Sequence, residues 1–316
     1  MVITPSQSEL WSVGRLICRQ FELGRVRKID ALLHQGYSNF NARIETEQGI
    51  YVLRRYAEQS PEKITYELHL IEWLVSQGFP VVPPLRDPGG RARYTLGKEH
   101  PASWVIFPFV NGAPPELLPA TAHEMGTLAA RLHQLPEGIP EAGKRENLLS
   151  VPTTLEIAES LRKAGTKTAR RFLHMTEHLA TEVQDVSLPA GLVHGDLFPD
   201  NTIFHAGRLA AVLDWEEACV DTYLFDIAMA MHGFSYRSEE WCPGLARSFL
   251  SGYENLRPLG SDEREALPLF LAWTPIALAG WHLRRYSLAP GPRQARRIEQ
   301  LLIRGETLFD CGKLFH

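Results

Sequence analysis

The sequence holds few of the features that would make it something other than an ordinary globular protein. Four cysteines, Cys18, Cys219, Cys242 and Cys311, lie far apart with no C-x-x-C pair. That spacing excludes a zinc knuckle and a small disulfide framework, and it fits a reducing cytoplasm. A formal net charge of -4 provides no basic field for nucleic acid or anionic lipid, so any phosphate recognition must be local. No G-x-x-x-x-G-K-[ST] loop and no G-x-S-x-G elbow occurs. His123-Glu124 lacks the second histidine of H-E-x-x-H. Internal repeats and low-complexity tracts are missing too, and Met1 to Trp11 has polar and acidic residues where a signal peptide would be apolar. Long apolar runs are scarce. The exception is Ala266 to Leu283, a stretch of 18 residues without a formal charge. Pro268 and Pro275 interrupt it, and no second such run accompanies it, so it reads as adjoining buried helices rather than a membrane span.

What is present converges on one stretch. Leu192 to Ile203 reads LVHGDLFPDNTI, and Ala211-Val212-Leu213-Asp214 follows after a short hairpin turn at His205 to Arg208. The stretch holds an Asp, an Asn five residues later and a second Asp thirteen residues beyond that. This is the layout of H-x-D-x-x-x-x-N followed by a metal-binding Asp. A hydroxyl nucleophile needs a carboxylate within reach, and a magnesium ion on nucleotide phosphates needs hard oxygen ligands. Asp196 is therefore the candidate base, and Asn201 and Asp214 are the candidate metal ligands. The six arginines from Arg284 to Arg304 read as a solvated helical face.

The first third of the chain has the period-2 pattern of strands. Phe40, Ala42 and Ile44 alternate with polar residues, Glu47-Gln48-Gly49 makes a turn, and Ile50 to Tyr56 returns as the second strand. The loop before this hairpin contains Ser38, whose hydroxyl and neighbouring backbone N–H groups are expected to cradle phosphate oxygens. Arg54 stands where V-A-I-K kinases have their phosphate-pairing lysine, and a guanidinium can do that bidentately. Glu67, early in a helix predicted over Pro61 to Gln77, is placed to orient Arg54. A Gly/Pro break at Ala113-Pro114-Pro115 marks the expected boundary between residues 1–112, rich in strands, and residues 113–316. Beyond it the period changes to 3.6. Helices are predicted over 120–133, 154–163, 168–183, 224–232, 245–256, 262–287 and 293–311.

These residues carry a resemblance. The chain is similar to the aminoglycoside phosphotransferase and choline kinase superfamily, and within it most similar to the homoserine kinases built on the protein-kinase-like fold. The resemblance rests on Gly36-Tyr37-Ser38-Asn39 ahead of Tyr51-Val52-Leu53-Arg54, on the Gly126 to His133 helix, and on Val193 to Asn201. It continues through Asp214-Trp215, Ala218-Cys219, Asp221 and Phe225-Asp226. It implies an α+β bilobal fold, with a small antiparallel-sheet lobe for nucleotide and a larger, mainly helical lobe for the acceptor. It also implies ATP, Mg²⁺ and a small hydroxyl acceptor, with Asn39 in the nucleotide loop, adenine along the strand backbone near Pro108 and Val110 under Phe107, and Asp226 bracing the catalytic loop.

Homoserine is the leading acceptor, and the alternatives are choline, ethanolamine, hydroxylysine, an aminoglycoside or a sugar. Glu216, next to Glu217, would meet the acceptor's ammonium group, and Arg284 or Arg285 its carboxylate. A protein Ser/Thr kinase would need D-F-G and A-P-E, and neither follows Asp214. A silent nucleotide-binding module would not need all three catalytic positions filled. The expected protein is a cytoplasmic monomer or homodimer that binds neither nucleic acid nor membrane.

Overall fold

The computed structural model describes residues 5–32, 39–56, 59–96, 102–136, 145, 147–286 and 290–311. Their contacts divide the chain into two compact units: residues 1–114 with 202–216, and residues 115–201 with 217–316.

The first unit begins with helix α1 (Gln7–Gln20). Ser6 starts it through a capping box, its hydroxyl accepting from the Glu9 backbone N–H while the Glu9 carboxylate accepts from the Ser6 N–H at 2.7 Å. Five antiparallel strands follow, β1 (Val26–Ala31), β2 (Asn39–Thr46), β3 (Ile50–Tyr56), β4 (Arg93–Leu96) and β5 (Ala102–Pro108), ordered β1-β2-β3-β5-β4. Leu53 pairs with Ile106, and both belong to the core in which Leu10 and Ile17 of α1 are buried with Ile29 and Ile44. The next pair in register, Arg54 with Val105, falls on the opposite face because side chains alternate along a strand. There Val105 and Tyr56 pack with Ile64 and Leu68 of helix α2 (Pro61–Ser76). Burying each such aliphatic side chain contributes about 1.5–3 kcal/mol. That face is how Arg54 comes to meet α2.

The ribbon of Thr202–His205 and Arg208–Val212 also belongs to the first unit. Ala206 (φ +49°) and Gly207 (φ +76°) form its two-residue turn, the left-handed pair that matches the twist of a hairpin. Backbone bonds tie it to the rest of the unit: Val212 N–H to Pro80 O at 2.7 Å, and Ala113 and Phe204 to each other at 3.1 and 2.8 Å.

The second unit is mainly helical, with α3 (Pro119–His133), α4 (Val151–Leu161), α5 (Lys167–Asp185), α6 (Tyr223–Phe234), α7 (Pro243–Glu254), α8 (Ser261–Arg285) and α9 (Pro292–Cys311). Helices α3 and α7 approach at backbone distance through glycine. A Cβ on Gly126 would stand 1.9 Å from the Phe249 carbonyl oxygen, and one on Gly252 would stand 2.0 Å from the His123 carbonyl oxygen.

Helix α8 matches the helix predicted over 262–287, but the reading of Pro268 and Pro275 as breaks between adjoining helices does not hold. The helix is one continuous element of 25 residues through both Pro268 and Pro275, and not a set of adjoining helices. Proline at 275 has no N–H for the carbonyl of Leu271. His232 of α6 supplies the missing donor, its Nε2 lying 2.7 Å from Leu271 O. Burial, reinforced by Arg304 and Arg297, pushes the His232 pKa down to about 3, so the ring is neutral and able to serve as that single donor. By length and composition α8 is the one helix among the described residues apolar enough to cross a membrane, and 78% of its apolar window is buried inside the protein. Cys18, Cys219 and Cys242 are free thiols among the described residues.

Candidate active site

In the first unit, three expected residues come together. Arg54 Nη1 lies 3.2 Å from Glu67 Oε1 and 3.2 Å from Asp214 Oδ1, and its Nε donates to Asn41 Oδ1 at 3.3 Å. The β2–β3 register explains the last contact, since Asn41 is the cross-strand partner of Arg54. Glu67 is wholly buried and Arg54 nearly so. Burial opposes the guanidinium charge, but Asp214, Tyr56, Glu67 and Glu216 outweigh it and hold the pKa above the usual arginine range. Burial, then the negative charge of Glu67, pushes the Tyr56 hydroxyl well above its ordinary pKa.

Asp214 has φ +61°, a left-handed conformation that costs a non-glycine residue energy and persists only where its neighbours fix it. On one side Trp215 is buried, meets Phe79 edge to face at 5.7 Å and donates its indole N–H to Val212 O. Two residues on, Glu216 is buried as well. Its Oε2 accepts from Asn39 Nδ2 at 2.7 Å and from Gln59 Nε2. The carboxylate expected to face an acceptor ammonium therefore already has two amide partners within its own unit.

The remaining nucleotide-side residues fall on or beside β5. Phe107 has its ring 5.8 Å from the Arg54 guanidinium carbon, Pro108 pairs with Tyr51, and Val110 lies two residues past the end of the strand. Ser38 lies outside the described residues. Arg284 and Arg285 occupy the last turn of α8 in the second unit, the first exposed and the second 5.4 Å from the Trp281 ring centroid.

The catalytic-loop motif lies in the second unit. A short strand, Ala190–Val193, pairs antiparallel with Cys219–Thr222 and delivers the chain to His194. Gly195 turns it with φ +78°, where a Cβ would stand 2.9 Å from the Glu217 carbonyl oxygen, so the H-G-D glycine meets both a conformational and a spatial requirement. Asp226 of α6 braces this turn from below, as the resemblance implies. Its Oδ1 accepts from Gly195 N–H at 2.9 Å, and its Oδ2 from His194 N–H at 3.2 Å and from His133 Nε2 at 3.0 Å. Full burial works to raise the Asp226 pKa. The His133 hydrogen bond and charge, His194 and the Gly195 N–H overcome it and hold the carboxyl below its ordinary value.

His133 is held from its other side by Tyr253, its Nδ1 lying 2.7 Å from that hydroxyl. Downstream, Asn201 closes a 3-10 turn and directs Nδ2 to both the backbone oxygen and Oδ2 of Asp196, each at 2.8 Å. The candidate base is thus oriented by the asparagine five residues away. With its nitrogen so committed, the atom of Asn201 suited to a cation is its amide oxygen.

Sequence reasoning missed Asn41, Gln59, His133 and Tyr253. His133 closes the Gly126 to His133 helix on which the resemblance partly rests, but no polar pattern there assigned it a partner. Asn41 and Gln59 acquire their partners through strand register and loop course.

Comparison with known proteins identifies the arrangement. Residues 31–259 match the model of the phosphotransferase enzyme family. The chain belongs to that family. This phosphotransferase is 32% identical over 293 residues to a homoserine kinase of Caulobacter sp. (strain K31), covering 88% of this chain and 90% of that protein. Among solved structures, a microcompartment-associated aminopropanol kinase superposes with TM-score 0.75 at 17% identity, covering 96% of this chain and 98% of that one. Amicoumacin kinase, solved with AMP-PNP, Ca²⁺ and amicoumacin, superposes with TM-score 0.71 at 15% identity, covering 96% of each chain. The phosphotransferase therefore shares the α+β protein-kinase-like fold that its motifs imply.

Proposed function

We propose that this phosphotransferase is an ATP-dependent homoserine kinase, transferring the γ-phosphoryl group to the side-chain hydroxyl. The observation that carries the reading is the 32% identity to a homoserine kinase along nearly the full length of both chains. Roles follow the residue pattern. Asp196, oriented by Asn201, accepts the hydroxyl proton as the oxygen attacks the γ-phosphorus and ADP leaves. Arg54, held by Glu67, offers its guanidinium to nucleotide phosphates beside β5.

The oxygen donors of Asn201 and Asp214 suit a hard divalent cation, which we take to be Mg²⁺. Among the described residues no group of three or more His, Cys, Asp or Glu side chains is placed to hold a metal ion by itself. A site completed by nucleotide phosphate oxygens is the normal condition for magnesium. When bound, the cation neutralises charge on those oxygens.

The test is a coupled ADP-release assay across homoserine, choline, ethanolamine, 1-amino-2-propanol, free sugars and an aminoglycoside, with ³¹P NMR of the product. Homoserine should give the highest kcat/KM and yield O-phosphohomoserine. Turnover of a neutral sugar without turnover of homoserine would overturn the acceptor and leave the phosphotransferase assignment intact.

A further inference from the structure

Two carboxylates, Asp214 and Glu216, leave the same turn in different directions. Asp214 goes to Arg54, and Glu216 goes inward to the amides of Asn39 and Gln59. The three segments that meet at the Glu216 oxygen matter individually to the nucleotide side. Asn39 is the first residue of β2, directly after the Gly36-Tyr37-Ser38 stretch. Gln59 directly precedes Ser60, the cap of the helix that bears Glu67. Glu216 is two residues from Asp214, whose backbone takes the left-handed conformation at φ +61°.

The polarity of the cluster is defined. A carboxylate only accepts, so both amides must present nitrogen to it. That leaves Asn39 Oδ1 and Gln59 Oε1 buried without a hydrogen-bond partner among the described residues. An unsatisfied buried carbonyl is unfavourable, and two of them beside one buried charge are retained only if the geometry they enforce is needed.

We infer that Glu216 is a positioning residue for the nucleotide and its cation: through Asn39 and Gln59 it locks the turn that carries Asp214 to the start of β2 and to the start of α2. Arg54 makes the parallel link, from β3 to Glu67 of α2 and to Asp214. Glu216 accordingly acts on MgATP affinity and has no direct part in holding the acceptor. The inference rests on the reading that Asp214 is a cation ligand.

The experiment compares Glu216→Gln, Asn39→Asp and the double variant, with KM for MgATP, KM for homoserine and kcat measured for each and folding checked by circular dichroism. Both amides donate to the one oxygen Oε2, so Glu216→Gln keeps an oxygen for them but removes the charge, whereas Asn39→Asp sets carboxylate against carboxylate. Asn39→Asp should raise the MgATP KM by about 10-fold and Glu216→Gln, which only weakens the two bonds, by about 3-fold, while the homoserine KM moves by less than about 3-fold. In the double variant the donor and acceptor exchange places, and the MgATP KM should return to within about 3-fold of the parent. Gln59→Ala, which deletes one donor without reversing any charge, should give a smaller increase of about 3-fold and serves as the variant least able to disturb folding.

A MgATP KM unchanged in Asn39→Asp, additive losses in the double variant, or a rise confined to the homoserine KM would each overturn the inference. Asp214→Ala separates this from failure of the underlying reading. If its MgATP KM is unchanged, the cation assignment falls. If it rises while the Glu216 variants do not respond, the positioning role alone falls.

Discussion

Replacing Asp226 by asparagine tests whether the catalytic loop is held by one buried charge. The side chain has no solvent exposure and accepts from three donors, His133 Nε2 and the backbone N–H groups of His194 and Gly195. An asparagine of the same shape has one oxygen. Placed where Oδ2 was, that oxygen keeps His133 and His194 as neutral-acceptor bonds, but its N–H₂ then faces the Gly195 N–H. Losing a charge-assisted bond costs about 1.5–3 kcal/mol, and stranding a buried donor costs about 1–3 kcal/mol. The two losses together should destabilise the protein by about 3–5 kcal/mol. It should lower kcat by about 10- to 100-fold, because the displaced Gly195 peptide adjoins Asp196.

Urea unfolding and initial-rate kinetics at neutral pH measure both effects. The pH dependence adds a check with a definite sign. The folded-state pKa of Asp226 is depressed, so the unfolded chain binds the proton more readily. Its stabilisation is complete above the unfolded value of about 4, and is lost as pH falls through the folded value. The stability gap between parent and Asp226→Asn should accordingly narrow below about pH 4. A loss under about 1 kcal/mol with kcat unchanged would refute the bracing role.

Two further substitutions probe separate parts of the molecule. Asp196→Asn retains shape and the Asn201 contact but removes the proton acceptor, so kcat should fall by about 10²- to 10⁴-fold with the MgATP KM within a few-fold of the parent. Near-normal turnover would place the base elsewhere. Gly126→Ala puts a methyl group 1.9 Å from the Phe249 carbonyl oxygen, so α3 and α7 must separate. The expected loss is about 3 kcal/mol in urea unfolding, and a neutral effect would show that this helix contact is looser than the structure has it.

The elements of this chain were legible wherever the local pattern had a single interpretation. Period-2 alternation over Phe40 to Tyr56 and period 3.6 in the helices placed most elements within a few residues, because each face is buried against one neighbour. H-G-D, Asn201 and Asp214 stood out as candidates in the sequence because phosphoryl transfer calls for those atom types at close chain spacing. Asp226 was found only through the family resemblance, since an aspartate in an apolar helix does not reveal what it bonds.

Two expectations changed in three dimensions. Pro268 and Pro275 read as interruptions, but His232, 43 residues before the second proline, supplies a donor that keeps α8 continuous. Glu216 read as an acceptor-facing charge beside the metal-binding Asp, yet Asn39 and Gln59, 177 and 157 residues distant in sequence, enclose it. A sequence specifies which groups are charged or polar and which local geometry their neighbours prefer. Which partner satisfies a buried carboxylate or an orphaned carbonyl is decided by strand register and helix packing, because those partners come from chain segments that only the tertiary structure brings within hydrogen-bonding distance.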